Sequence, residues 1–283
     1  MSKIIVVSDS TANLPPELLQ EHEIPIIPLH IHWGEETYLD GVTLAPETFY
    51  RWLQEREDFP KTSQPAVGEF VDFFREVAER YQTDTIVGVF ISSDLSGTVN
   101  SALQAQAELS DLRIELVDSR SVSVGLGLQV LAGARAAHSG AALDEVLAVI
   151  HRVRARMHLL FTVDSLEYLY RGGRIGGAAR FFGSALKLKP LLTVEGGKID
   201  ALEKVRGRRK AVQRMLQVAG ERLAGRRPAE MAVMDIAAAE EAEELLAVVK
   251  ERFRPRRLFH ALVAPVIGTH GGPGTLGIGW YPE

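Results

Sequence analysis

In the first half of the chain, short apolar runs recur, each followed by a small-residue or hydroxyl-bearing loop and then by apolar positions three and four apart. That order predicts parallel strands alternating with helices. Ile4 to Val7 reads as a buried strand with Ser8, Asp9, Ser10 and Thr11 after it. A second strand over Ile24 to Ile31 is interrupted by Pro25 and Pro28, which points to a sheet edge or an irregular course. Pro46 to Glu57 reads as a helix, as does Pro65 to Tyr81, where Val67, Phe70, Val71, Phe74 and Val77 share a face and Pro65 suits a first helical turn. Thr85 to Ile91 and Arg113 to Val117 are further strands. The helix after the first runs to Leu109, and the Ala- and Leu-rich helix after the second ends near Gly140.

Beyond that point the pattern changes. Leu143 to Arg156 predicts a helix crossing into a second unit, with strands at Leu159 to Val163, Leu191 to Val194, Lys198 to Leu202, Met231 to Ile236 and Leu258 to Val263. Arg208 to Leu223 and Ala238 to Phe253 read as amphipathic helices. Glu195, Gly196, Gly197 and Lys198 suit a hairpin, which makes the second sheet mixed or antiparallel. The expected fold class is therefore α/β in two domains: a parallel-sheet amino-terminal domain over residues 1–150 and a smaller mixed-sheet α/β domain over 151–283, with a crevice between them. A length of 283 residues accommodates that division.

Composition narrows the function. Hydrophobic residues make up 46% and charged residues 24%, the proportions of a globular chain, and no apolar run reaches the roughly 18 to 20 residues that span a bilayer. With 32 Lys and Arg against 37 Asp and Glu, the net charge of -5 gives no broad attraction for nucleic acid, and none is expected as a partner. Cysteine is absent, which excludes disulfides, thiolate nucleophiles and cysteine-ligated metal centres. The opening residues lack the apolar core and cleavage pattern of a signal peptide, so the expected location is cytoplasmic.

Candidate chemistry collects in hydroxyl-rich loops placed after apparent strands: Asp9, Ser10 and Thr11; Thr62 and Ser63; Ser92, Ser93, Ser96 and Thr98. Hydroxyls and free helix amides at strand carboxyl ends can converge on an anion, although each of these residues also makes an ordinary helix cap. No Walker pattern or GxGxxG follows the first strand, and Gly125 and Gly127 lie inside a helix-like stretch, so no nucleotide cofactor is expected. Ser92 to Gly97 is not a GxSxG elbow. Two glycine-rich segments remain, one with Arg171, Gly173 and Arg174, the other a loop with His270; guanidinium and imidazole are both suited to an acidic headgroup. His22, His30 and His32 lack a recognisable ligand spacing, and His151 and His158 sit among Arg152, Arg154 and Arg156, so no metal is expected. Arg206, Arg208, Arg209, Lys210 and Arg214 form the strongest basic surface, suited to an acidic partner or simply to solvent.

Six phrases in this order, VVSDSTANLP, TSQPAVGEF, ISSDLSGTVNSA, VDSRSVSVGLG, LEYLYRGGRIGG and GTHGGPGTLGIGWY, together resemble the DegV family of fatty-acid-binding proteins along nearly the whole chain. The resemblance implies a two-domain DegV-like fold that buries a long-chain fatty acid in a tunnel between domains, with the carboxylate at the crevice. It implies headgroup contacts from Thr62, the neighbouring Ser63, either Ser93 or Ser96, Arg174 and His270, supported by Asp9, Ser10, Gly97 and Gly173. Ala66 departs from the family's usual serine and loses one cap hydroxyl. The resemblance further implies a non-catalytic carrier in a fatty acid kinase system, holding no cofactor and presenting the carboxylate to an ATP-dependent kinase partner, with the Arg206 to Arg214 surface as its contact and at most transient contact with a membrane. Two alternatives stay open at this stage: a stand-alone enzyme using Ser93 or Ser96 with His270 on a small acidic substrate, and a lipid-responsive regulatory protein.

Overall fold

The structure, a computed structural model, describes residues 3–183 and 188–283. The chain enters through β1 (Ile4–Asp9), where Ile5, Val6 and Val7 are buried, and turns through the short helix α1 (Pro16–Glu21) into β2 (Ile26–Ile27). Pro25 and Pro28 cut the expected second strand in two. Only two residues pair with the end of β1, and beyond Pro28 the chain begins a different sheet with β3 (His30–Trp33). Two short strands flank β3 antiparallel, β4 (Glu36–Leu39) and, after helix α2 (Pro46–Glu55), β5 (Lys61–Ser63). Thr62 and Ser63 therefore lie in a strand, where the sequence suggests a loop. A three-residue polar strand is too short to show period-two alternation.

Helix α3 (Val67–Tyr81) buries Phe70, Phe74 and Val77. Pro65 stands outside it, because the N-cap is Ala66, whose extended backbone delays the first turn. The cap hydroxyl missing at Ala66 is offset from the other direction: the Ala66 N–H donates to Glu69 Oε2 at 2.7 Å, half of a capping box. Strand β6 (Thr85–Phe90), helix α4 (Thr98–Glu108) and strand β7 (Arg113–Asp118) complete an all-parallel sheet of order β2-β1-β6-β7. Such sheets are covered on both faces. Phe70 and Phe74 of α3 and Ala102 and Ala105 of α4 cover one side. The other is covered by α5 (Val124–His138), in which every residue from Val124 to Ala134 is buried.

A helix apolar on all sides must be enclosed on all sides. The far side of α5 meets the second sheet, so a single cluster joins Val6 and Val87 to Leu128, Phe161 and Met234. Helix α6 (Leu143–Arg156) leads there, and residue 150, the expected dividing point, falls within it. Strand β8 (His158–Thr162), helix α7 (Glu167–Arg171), strands β9 (Leu188–Glu195) and β10 (Lys198–Arg206), helix α8 (Arg208–Leu223), strand β11 (Pro228–Ile236), helix α9 (Ala239–Phe253), strand β12 (Arg257–Leu262), helix α10 (Pro265–Gly271) and strand β13 (Thr275–Pro282) follow. The sheet is mixed, of order β10-β9-β8-β13-β11-β12, with only β11 and β12 parallel. Gly196 and Gly197 have φ of 57° and 87°, which the β9–β10 turn requires and side-chain-bearing residues rarely adopt. Met215 and Ala219 of α8 and Leu245 and Val249 of α9 cover the outer face. Strand β13 lies at the sheet's centre although Gly277 and Gly279 dilute its apolar signal. The segment before it, expected as a loop around His270, begins as the last turn of α10.

Candidate ligand-binding site

Where α5, the loops after β1 and β6, strand β5, helices α7 and α10 and the mixed sheet meet, a cavity opens. Its walls are apolar: Leu29, Ile91, Leu95 and Val122 from the first half of the chain, and Leu159, Phe161, Ile199, Met234, Ile236 and Val263 from the second. It is a narrow space of about 810 Å³, open solvent at the mouth included. Thr62, Ser63, Gln64, Ser96, Arg174 and His270 form its polar part, drawn from segments far apart in the chain.

The link among them is a hydrogen bond of 2.8 Å between Thr62 Oγ1 and His270 Nε2, spanning 208 positions of sequence. Burial, and then the Arg174 charge, pull the His270 imidazole down to about 4, so it is neutral at physiological pH. Its Nδ1 is buried with no hydrogen bond among the described residues and faces Gly172, where a Cβ would lie 2.0 Å away. Arg174 is oriented by carbonyls: Nη1 donates to Gly172 at 2.7 Å and Nε to Leu95 at 3.2 Å. Neither bond neutralises its charge. Ser63 Oγ bonds His32 Nε2 at 2.8 Å, and His32 Nδ1 in turn bonds Thr37 Oγ1 at 2.9 Å. Ser96 Oγ shares a 2.8 Å bond with Thr98 Oγ1 at the start of α4.

The loops beneath are tied down by Asp9. Its carboxyl, fully buried, accepts from the Thr11 N–H at 2.9 Å and the Ile91 N–H at 2.8 Å, and burial raises it to about 6. Ser10 Oγ accepts from the Leu29 N–H at 3.1 Å. At Gly97 a Cβ would come within 3.0 Å of the Gln64 side chain, and Gly173 has a φ of 69°. Of the two candidate serines, Ser93 does not line the cavity. The N–H groups of Leu95 and Ser96 both donate to the Ser92 carbonyl, and this turn places Ser93 beside Asp118, whose Oδ2 accepts from its hydroxyl at 2.6 Å. Ser96 lies on the cavity side.

Three residues of the site escape a reading by residue type. Gln64 lies within TSQPA, and Gly172 matters for what it lacks. Ser123 lines the cavity before α5 with φ 53° and ψ -138°, a strained conformation for serine, and donates to Met234 Sδ at 3.2 Å. Its signal was the small-residue phrase preceding an apolar helix. The histidines disperse: His30 bonds Glu69, His32 bonds Ser63, and His22 accepts from Arg135. Among the described residues no three His, Asp or Glu side chains gather as a metal site, and no helix is long and apolar enough to cross a membrane. On the basic surface, Arg208 pairs with Glu241 and Arg214 with Glu203 and Glu221, while Arg206, Arg209 and Lys210 stay exposed.

Fold and site define an α/β protein whose two main sheets share one buried helix and enclose a narrow apolar cavity with a polar mouth. The chain belongs to the DegV family: the family described as "uncharacterised protein, DegV family" matches residues 3–283. A DegV domain-containing protein of Streptomyces coelicolor is 37% identical over 276 residues, 97% of each chain. A Thermus thermophilus DegV family protein described by its fatty acid binding superposes with a TM-score of 0.93 at 33% identity, covering 100% of both chains. A stearic-acid-binding protein of Eubacterium ventriosum superposes at 0.89 and 29% identity, covering 100% of this chain and 98% of that one.

Proposed function

We propose that this protein binds a long-chain fatty acid, with the acyl chain in the apolar cavity and the carboxylate among Thr62, Ser63, Ser96, Arg174 and His270. The observation that carries the reading is the Thr62–His270 bond at the polar end of a cavity otherwise walled by aliphatic side chains. Each buried CH₂ contributes roughly 0.8 kcal/mol, so a chain of about sixteen carbons derives most of its affinity from the walls. The polar groups set its direction. A neutral His270 with its proton on Nε2 donates to Thr62 Oγ1, which frees the Thr62 hydroxyl proton for the carboxylate, and Arg174 supplies a positive charge. The fatty acid binding of the Thermus and Eubacterium relatives supports a fatty acid as the ligand.

The protein acts as a carrier rather than a catalyst in this reading. It presents the carboxylate to a kinase partner that brings ATP, and the exposed Arg206, Arg209 and Lys210 are the contact surface. Residues 1–150 and 151–283 act as two domains closing on the ligand. The stand-alone enzyme reading is weakened because His270 bonds Thr62 and neither candidate serine bonds it. Native mass spectrometry after gentle purification, followed by lipid extraction, is expected to show one retained fatty acid per chain. Protein that is lipid-free and fails to take up added stearate would end the proposal. Labelled ATP with a purified kinase tests the carrier role separately, through formation of acyl phosphate.

A further inference from the structure

Beside the apolar cavity, with Leu159 the one described wall common to both, lies a pocket of about 840 Å³, open solvent at its mouth included. Arg120, Arg154 and Arg222 line it, with His158, Gln129 and Glu195. Arg120 is balanced by Asp94 at 2.6 Å and Asp118 at 3.7 Å. The other two guanidinium groups are not balanced. Arg154 donates to the Asp118 carbonyl at 2.9 Å and has no carboxylate partner among the described residues; Arg222 has no ion pair among them. Glu195 is the one carboxylate among the described residues of the lining, so the pocket is cationic in a protein whose net charge is -5.

Two further observations point to a ligand. Gln129 is fully buried, and its amide orientation is set by two carbonyls: Nε2 donates to Ser119 at 3.1 Å and to Gly125 at 2.9 Å. Its Oε1, also buried, has no hydrogen bond among the described residues, which costs stability unless a donor reaches it from the pocket that Gln129 lines. His158 lies tilted against Trp280, ring centroids 5.1 Å apart, and is held down to about 4 by burial and then by Arg222 and Arg226, so a neutral imidazole stands beside the unbalanced charges.

We infer that this pocket binds a small phosphate monoester bearing hydroxyl groups, with the phosphate on Arg154 and Arg222 and a hydroxyl donating to Gln129 Oε1. Guanidinium forks match phosphate oxygens in pairs, and the buried amide oxygen selects a ligand that also carries a donor. The site is independent of the fatty acid reading.

Titration calorimetry of the full chain with ribose 5-phosphate and with inorganic phosphate tests it, alongside sedimentation with phosphatidylglycerol vesicles. Ribose 5-phosphate is expected to saturate below about 1 mM and inorganic phosphate to bind more weakly. Arg154→Gln and Arg222→Gln are each expected to weaken ribose 5-phosphate about tenfold or more, while Lys210→Gln does not and thermal unfolding stays as in the parent. No saturation by about 10 mM, indifference to both arginine variants, or equal affinity for inorganic phosphate would overturn the proposal. So would vesicle binding that depends on Arg222, since the phosphate source would then be a lipid headgroup.

Discussion

Replacing Gly172 with alanine isolates the contact on which the polar end of the cavity depends. The backbone there has φ -73° and ψ -8°, which alanine adopts freely, so any effect comes from the added methyl. That methyl would lie 2.0 Å from His270 Nδ1, 2.8 Å from Cε1 and 3.1 Å from the Tyr168 carbonyl oxygen. Helix α10 has little room to withdraw. The Val266 N–H is held by buried Asp40 at 3.0 Å, and the Tyr50 ring packs so tightly against Gly268 that a Cβ there would lie 2.6 Å from it. The imidazole must swing instead, breaking the bond to Thr62. Overpacking of this kind costs about 1–3 kcal/mol of stability, a fall in Tm of about 2–4 °C per kcal/mol. Loss of an aligned headgroup contact removes about 1.5–3 kcal/mol of binding, or about ten- to a hundredfold in fatty acid affinity. Gly173→Ala is the control. Its φ of 69° makes alanine cost about 1–2 kcal/mol, but a Cβ there meets nothing within 4 Å. Competition with a fluorescent fatty acid separates the two variants: both lose stability and only Gly172→Ala loses affinity. Unchanged affinity in Gly172→Ala, or equal losses in both, would refute the reasoning.

Other perturbations read other parts of the molecule. Thr62→Val keeps the side-chain shape but removes the hydroxyl, and is expected to lower fatty acid affinity about tenfold, with Thr62→Ser restoring most of it; equal affinities for all three proteins would count against a hydroxyl contact. Burial raises Asp40 to about 7, so the native state binds its proton more tightly than the unfolded chain, and stability falls as pH rises from about 4 to about 7 and is flat above. Asp40→Asn keeps an acceptor for Val266 and is expected to shrink the stability difference between pH 5 and pH 8 by about 3 kcal/mol in urea unfolding, whereas an unchanged pH profile would place the titration elsewhere. Glu230, 1% exposed, pairs with Arg135 at 2.6 Å and joins α5 to β11, so Glu230→Ala is expected to cost about 3–5 kcal/mol in denaturant unfolding; a loss under about 1 kcal/mol would show that the pair does not hold that junction.

The long elements were legible because their periodicity spans enough residues to average out exceptions. Arg208 to Leu223 and Leu143 to Arg156 fall where their apolar spacing puts them. Short elements carry no such average. Strands β4 and β5 have four and three residues, and β13, at the centre of its sheet, has its apolar run interrupted by Gly277 and Gly279. His270 reads as a loop residue because glycines surround it, yet Pro265 opens a helix that reaches it. That Ser96 and not Ser93 lines the cavity was beyond any reading by residue type, since it follows from a turn in which two N–H groups converge on Ser92.

The electrostatics of the cavity follow from the same enclosure. Arg174 is the one Lys or Arg among the described lining residues, and the burial that fits His270 against Gly172 is also what keeps the imidazole uncharged. A carboxylate held there meets one full positive charge and several neutral donors. Across the range from about pH 5 to pH 8, His270, whose titration is displaced to about 4, therefore contributes no change of charge to fatty acid affinity, whereas Asp9, raised to about 6, and Asp40, raised to about 7, titrate within it. A binding profile with a midpoint near the ordinary histidine value that survived both Asp9→Asn and Asp40→Asn would require an imidazole far more exposed than this one.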